Sequence, residues 1–192
     1  TVAISEATDL APATLTLSGG TLSATETLSL DSSRPFALAT GTSSSVSVAS
    51  GKTLTVAGVI SGSGNLAKTG AGEAVLTATN TFTGSLTVSA GTLTVGAGST
   101  AGSLATSTIV SNATLAFNRS DTVTLSTAVS GSGGVKQSGS GTLVMSGNNT
   151  YTGTTQVSAG TMQLGAADRI ANTSALVVDT GATFDADRKS TR

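Results

Sequence analysis

Two nearly identical stretches decide the fold of this chain: Asn80–Ala97 reads NTFTGSLTVSAGTLTVGA, and Asn149–Ala166 reads NTYTGTTQVSAGTMQLGA. The likeness extends upstream of both. When the wider segments Gly62–Ala97 and Gly131–Ala166 are aligned without gaps, 17 of 36 positions are identical. The chain therefore contains an internal repeat, with motif cores at residues 62–97 and 131–166.

A pattern with a shorter period lies inside this repeat. A turn residue is followed by a brief strand in which apolar residues alternate with Thr or other small residues, as a half-buried strand requires. Most successive members begin 19 to 22 residues apart, a period typical of solenoids. They start at Gly51 (GKTLTV), Gly72 (GEAVLT), Gly91 (GTLTVG), Asn112 (NATLAF), Gly141 (GTLVMS) and Gly160 (GTMQLG). Gly, Asn and Ser between the strands are typical of tight turns.

Short strands with a period of about 20 residues predict an all-β chain that forms a right-handed parallel β-helix, one coil per period. No 3.6-residue apolar pattern is sustained, so we expect almost no helix, apart from a helical turn around Asp168. The longer repeat, from Asn80 to Asn149, then corresponds to about three coils. We expect residues 1–192 to be a single β-helical segment and a fragment of a longer protein.

The alternation also predicts which side chains fill the coil. Thr and Ser are expected to face outward. The inward positions are expected to be Leu54, Val56, Val75, Val88, Leu93, Val95, Leu115, Phe117, Val144, Val157, Met162 and Leu164.

Composition excludes several classes of function. The chain has no Cys and no His, so it lacks the usual zinc ligands and the Ser-His or Cys-His nucleophile pairs of hydrolases. Its net charge is −1 with nine Lys and Arg in all, which gives no electrostatic footprint for nucleic acid. No apolar run reaches the length of a membrane-spanning helix. We therefore expect no cofactor, no nucleic-acid partner and no direct insertion into a membrane.

The segments Gly62–Leu93 and Gly131–Met162 share the pattern G-S-G, then K-x-G-x-G-x-L-x-L, then N-x-Y-T-G, then x-V-x-x-G-x-L. This pattern resembles the passenger-associated repeat of bacterial autotransporters. The first copy departs from it at Glu73 and Ala74, and has Phe82 in place of Tyr. The second copy departs from it at Gln137 and Ser138, where Thr and Gly are more usual after Lys136.

The resemblance implies a non-enzymatic stem or adhesin segment of a secreted passenger on the surface of a Gram-negative bacterium. It would support secretion and display, and adhesion or self-association at the cell surface. The implied partners are a second copy of the chain, host surface or matrix glycans and proteins, and the C-terminal outer-membrane barrel of the parent protein. The alternative hypothesis is a polysaccharide lyase or hydrolase, or a glycan-binding module, on the same fold.

The functional residues predicted for such a stem are those that shape its turns. Asn80 and Asn149 suit turns because the short amide side chain bonds nearby main chain. Phe82 and Tyr151 are expected to cover an apolar edge at a corner, with sugar binding as the alternative. The predicted turn glycines are Gly62, Gly64, Gly70, Gly72, Gly84, Gly91, Gly131, Gly133, Gly139, Gly141, Gly153 and Gly160.

No catalytic or cofactor-binding residue is predicted, and candidates for chemistry are few. Asp179, Asp185 and Asp187 are the densest carboxylates and the weak candidates for a calcium site or an acid pair. The simpler interpretation is solvated charge near one end of the segment. Lys68 and Lys136 are expected to be solvated, with a role as lyase base as the alternative.

Overall fold

The structure is a computed structural model, and it describes residues 1–10, 13–165, 170 and 175–186. This part of the chain contains 22 short strands and one 3-10 helix, Ala7–Asp9. It has no helix that is long and apolar enough to cross a membrane. The helical turn expected around Asp168 lies outside the described residues.

The strands are short because a turn interrupts the chain every few residues. In chain order they are β1 (Val2–Ile4), β2 (Leu15–Leu17), β3 (Thr21–Ala24), β4 (Leu28–Leu30), β5 (Phe36–Leu38), β6 (Ser43–Val48), β7 (Thr53–Val56), β8 (Ile60–Gly62), β9 (Asn65–Thr69), β10 (Glu73–Leu76), β11 (Leu86–Val88), β12 (Thr92–Ser99), β13 (Ile109–Ser111), β14 (Thr114–Arg119), β15 (Thr122–Leu125), β16 (Val129–Ser130), β17 (Gly134–Gln137), β18 (Thr142–Met145), β19 (Thr155–Val157), β20 (Thr161–Leu164), β21 (Leu176–Val178) and β22 (Thr183–Asp185).

The strands stack into a β-solenoid of about nine coils with three faces. The first face holds β1, β3, β6, β9, β11, β13 and β16, and the second face holds β4, β7, β10, β12, β14, β17, β19 and β21. The third face holds β2, β5 and β8 in the early coils and β15, β18, β20 and β22 in the late coils. Every strand pairing in the described residues is parallel.

Most coils are close to the expected length. On the second face Thr53 pairs with Glu73, and Glu73 pairs in turn with Thr92. The step from Leu28 to Leu54 on the same face is the longest among the paired strands. The predicted all-β parallel solenoid, with coils about 20 residues apart, is confirmed. Its handedness stays a prediction.

The two repeat copies do not lie on the same faces. Leu66 on β9 pairs with Leu86, Leu86 with Ile109, and Ile109 with Val129, so three full coils on the first face lead from Leu66 to Val129. The repeat counterpart of Leu66 is Val135, which comes after Val129 and lies on β17 of the second face. The prediction that the repeat equals about three coils is therefore corrected to three coils and one face.

Inside the coils, the apolar side chains form one continuous core. Fully buried residues such as Leu54, Leu86 and Leu115 recur at alternate strand positions. Ten of the twelve predicted inward positions are buried in this core.

Val75 and Val144 were wrongly predicted to point inward. On β10 the buried residues are Ala74 and Leu76, so Val75 lies on the outer side. Val144 is the repeat counterpart of Val75 and is not part of the core cluster, although its neighbours cover it to 8% exposure. The apolar run in each strand hid the alternation, because both faces of the strand carry an apolar residue.

The corrected register predicts different costs for two neighbouring substitutions on β10. Leu76→Ala leaves a cavity in the core and should cost about 2 to 5 kcal/mol of unfolding free energy. Val75→Ala removes a side chain from the outer side and should cost less than about 1 kcal/mol. Denaturant midpoints of the two variants check this. A loss for Val75→Ala equal to that for Leu76→Ala would place Val75 in the core.

Candidate functional site

The most unusual charged group lies inside the solenoid. Lys68 shares the inner side of β9 with Leu66, and its side chain is 1% exposed. Its ammonium Nζ donates hydrogen bonds to the carbonyl oxygens of Thr69 at 2.9 Å, Gly70 at 2.9 Å and Ala90 at 3.0 Å. These bonds use all three ammonium donors and occupy carbonyls at the turns of two successive coils.

The prediction that Lys68 is solvated is wrong. Burial lowers the pKa of Lys68 to about 8, and the carboxylate of Glu73 partly opposes this shift. Lys136 is partly exposed, as expected, and lies on the outer side of β17. The alternation of Leu66 and Lys68 was a usable signal, but the presence of Lys136 one position out of register concealed it.

In the second repeat copy, a neutral side chain supplies the hydrogen-bond donors for the turn carbonyls. Gln137 is the counterpart of Lys68 and is 2% exposed. Its Nε2 donates to the carbonyl oxygens of Gly139 and Gly141, each at 3.0 Å. Its Oε1 has no hydrogen-bond partner among the described residues. The inner position at this strand end therefore supplies donors to turn carbonyls, with a charge in one copy and an amide in the other.

Asn80 ties three coils together on the third face. Its Oδ1 accepts from the N–H of Ile60 at 2.9 Å, in the coil before. Its Nδ2 donates to the carbonyl oxygens of Ala78 in its own coil and Ser103 in the coil after, each at 3.0 Å. The side chain thus does more than bond its local main chain, because it also replaces missing strand pairing between coils.

Asn149 repeats part of this arrangement one face further on. Its Oδ1 accepts from the N–H of Val129 at 2.9 Å, and its Nδ2 donates to the carbonyl oxygen of Gly147 at 2.9 Å. Both asparagines are buried. An unpaired buried N–H costs about 1 to 3 kcal/mol, so each asparagine side chain contributes substantially to the free energy of unfolding.

Phe82 and Tyr151 are core residues, each 0% exposed. Neither ring covers an outer edge, and neither is available to bind sugar. The phenol oxygen of Tyr151 lies 2.7 Å from Oγ1 of Thr155, which is also buried. Thr155 takes the place of Leu86 in the first copy, so the added hydroxyl of Tyr151 comes with a hydroxyl partner.

The predicted turn glycines share a close backbone approach. A Cβ atom added at any of the twelve would come within 2.0 to 2.5 Å of main-chain atoms in the preceding coil. At Gly84, for example, the nearest atom would be the carbonyl oxygen of Gly64 at 2.1 Å. Gly62 and Gly131 also have φ values of +99° and +104°, which L side chains rarely adopt.

The predicted carboxylate cluster is not assembled by the described residues. Asp179 follows β21 on the second face, where its Oδ2 accepts from Nε2 of Gln156 at 3.2 Å. Asp185 lies on β22 of the third face, where its Oδ2 accepts from Nε2 of Gln163 at 2.9 Å. Asp187 lies outside the described residues. Across the described ranges, no group of three or more His, Cys, Asp or Glu side chains could hold a metal ion.

Sequence reasoning missed a groove on the outer side of the second face. It crosses β10, β12, β14, β17 and β19 in two adjoining parts of about 390 and 320 Å³. Both parts are lined by Thr114, Lys136 and Gln156. We call this feature the second-face groove. Only the register between coils could have revealed it, because its lining residues come from five separate strands.

Lys68 makes the stability of the fold depend on pH, and the direction of the change follows from its pKa. Its pKa is about 8 in the folded chain against an ordinary value of 10.5, so above pH 8 the unfolded chain holds more protons. Stability should therefore rise between pH 7 and 9.5, by about 1 to 2 kcal/mol from this group. Lys68→Gln should remove this rise, whereas Lys136→Gln should keep it. Parallel profiles for the native chain and Lys68→Gln, from unfolding at each pH, would contradict the buried ammonium.

Tyr151 can be titrated without interference, since the chain has one Tyr and no Trp. Burial raises the pKa of Tyr151 to about 12, against the smaller opposing effect of the Thr155 hydrogen bond. Phenolate absorbance should appear near pH 12 in the folded chain and near pH 10 in denaturant. Because the folded chain keeps this proton longer, stability should fall as pH rises from 10 to 12. A midpoint near 10 in the folded chain would contradict burial of the phenol.

Comparison with known proteins shows that the two repeat copies match a described family of repeats. The passenger-associated-transport-repeat family matches residues 66–95 and 135–164. These two ranges contain Lys68, Asn80, Phe82 and their counterparts in the second copy. The match therefore covers the parts of the chain whose interior has just been described.

One curated relative is the adhesin BmaC autotransporter of Brucella suis biovar 1 (strain 1330). It is 43% identical over 83 residues, which cover 41% of this chain. The chain spans about 2% of the length of that relative. No solved structure matches the chain. The chain thus carries two copies of the passenger-associated transport repeat, and its resemblance to autotransporter passengers is confirmed.

Proposed function

We propose that this chain is a stem segment of a secreted passenger, and that it supports secretion and holds other parts of the passenger away from the cell surface of a Gram-negative bacterium. The observation that carries this proposal is the pair of parallel ladders on the first and second faces, which together run through the two matched repeats and enclose one continuous core. Nine coils at about 4.8 Å each give a rod about 40 Å long.

The arrangement of the ladder suits a mechanical role. In a solenoid each coil contacts only its neighbours, so a longer array extends the rod without changing its cross-section. Every coil here is joined to the next by main-chain hydrogen bonds, and the asparagine side chains described above add to them. A stem of this type holds the segments at its outer end at a fixed distance from the cell, and it needs no bound cofactor.

We propose a non-enzymatic role for this segment. A lyase or hydrolase on this fold would need a group of carboxylates with a basic side chain on one outer face. In the described residues Glu73 is the one carboxylate that lines the second-face groove, and Lys68 is enclosed in the core. These observations support a stem more than they support the polysaccharide-degrading alternative.

Adhesion and self-association are proposed as consequences of surface display. The relative in Brucella suis is named an adhesin. The outer faces of this chain are rich in Thr and Ser and carry few charges, which leaves them able to contact a second copy or a host surface. Sedimentation at high protein concentration tests self-association, and a strict monomer would count against it.

A display experiment tests the stem role. The chain is placed between an export signal and the translocator of an autotransporter, with an epitope tag at its outer end. The native chain should bring the tag to the cell surface. Gly84→Ala forces a Cβ against the main chain of Gly64, should cost about 1 to 3 kcal/mol, and should lower surface display.

The matched control is Gly20→Ala. A Cβ at Gly20 meets no atom within 4 Å, so this variant should display the tag as the native chain does. Cell-surface labelling and thermal unfolding of the purified variants are compared. Equal display of the native chain and a demonstrably unfolded Gly84→Ala chain would show that the folded stem is not needed.

A further inference from the structure

The proposed stem role does not involve the second-face groove. Its floor is formed where Thr94, Ala116, Lys136 and Gln156 stand in one column across successive coils. Ala116 and Thr94 are only 4% and 6% exposed although they lie on the outer side of their strands. The small side chain of Ala116, which pairs with Lys136 on the adjoining strand, leaves a depression between longer neighbours.

Lys136 is the cation in this groove, and it differs from the other described cations. Arg34 pairs with Asp31 at 2.7 Å, Lys52 with Glu26 at 2.5 Å and Arg119 with Asp121 at 2.6 Å. Lys68 is enclosed in the core. Within residues 1–10, 13–165, 170 and 175–186, no carboxylate pairs with Lys136. Its ammonium therefore stands in a polar groove with its charge uncompensated by the described residues.

The far end of the groove carries the opposite charge. Glu73 lies on β10, three strands from Lys136, which corresponds to about 14 Å along the solenoid axis. Its Oε1 accepts from Oγ1 of Thr94 at 2.5 Å, which fixes the carboxylate against the groove floor. This distance prevents an ion pair between Glu73 and Lys136, and it gives the groove a cationic and an anionic end.

Between the two ends the lining is made of hydroxyl and amide groups. Thr92, Thr114 and Asn118 line the middle, and Gln156 lies beyond Lys136. Such groups donate and accept hydrogen bonds to sugar hydroxyls. The combined volume of the two parts is in the range of small-ligand sites, and it is elongated along the axis.

We propose that the second-face groove binds a linear oligosaccharide that carries a uronate, with the uronate carboxylate at Lys136 and neutral rings extending towards Glu73. A single cation with a carboxylate at the other end disfavours a highly charged polyanion, because that ligand would place a negative charge beside Glu73. The lining contains no aromatic platform, so binding is weak and of use mainly when many copies act together. This inference goes beyond the stem role and does not depend on it.

The test is titration of the purified, isotope-labelled chain with glucuronosyl-xylotriose, a linear tetrasaccharide with one terminal uronate and three neutral rings, followed by amide chemical shifts. Shifts are expected on β12, β14, β17 and β19, with affinity in the millimolar range. Lys136→Met should weaken binding about threefold to fivefold, as expected for a partly exposed ion pair, and should reduce its salt dependence. Ala116→Leu should fill the floor and abolish binding. The control Lys52→Met, which removes a cation outside the groove, should bind as the native chain does.

Two further ligands distinguish binding along an extended groove from simple attraction of an anion to a surface charge. Xylotetraose lacks the carboxylate and should bind as weakly to the native chain as glucuronosyl-xylotriose binds to Lys136→Met. Monomeric glucuronate should bind much more weakly than this tetrasaccharide. Equal binding of glucuronate and glucuronosyl-xylotriose, shifts outside the second face, or unchanged binding by Lys136→Met and Ala116→Leu would overturn the proposal. Thermal unfolding of each variant verifies its fold, and failure here leaves the display result unaffected.

Discussion

The contact between the main chains of successive coils at the turns is the constraint on which the rest of the structure depends. Parallel strands must stack about 4.8 Å apart on all faces at once, so the turns between faces must stack at the same distance. At twelve repeat positions there is no room for a Cβ above the preceding coil. Glycine is required there by proximity, whatever the local backbone angle, and this explains why both copies keep it at the same places.

Close stacking at the turns creates a second requirement, because turn carbonyls and N–H groups are enclosed but lie outside the strand ladders. Side chains inside the coil satisfy them. Lys68 donates to three carbonyls, Gln137 to two, and Asn80 bonds main chain in three coils. The interior is thus apolar along the strands and polar at the strand ends. A buried Lys with a lowered pKa is a consequence of this arrangement, since the carbonyl oxygens hold its ammonium while burial disfavours its charge.

Much of this could be predicted from the sequence, for a physical reason. Strand alternation and turn residues are local signals, and a repeat shows them several times, so the coil length and most inward residues follow directly. Features that depend on the register between coils could not be obtained in this way. The outward position of Val75, the cross-coil bonds of Asn80 and the second-face groove all depend on which residues stack, and coils of unequal length make that stacking irregular. The inward position of Lys68 is different, because it follows from the local alternation with Leu66, and Lys136, one position out of register in the second copy, conceals that signal.

The rotation of the repeat by one face has a consequence for the outer surface. If the repeat were a whole number of coils, equivalent residues would stand in one column, and the outer face would repeat with the motif. Here the second face combines β10 and β12 of the first copy with β17 and β19 of the second copy, which are not equivalent strands. Glu73 and Thr94 come from one part of the motif, whereas Lys136 and Gln156 come from another. Two copies with similar interiors therefore produce a groove that neither copy contains alone. The repeat fixes the shape of the interior, and the outer surface is left free to differ from coil to coil.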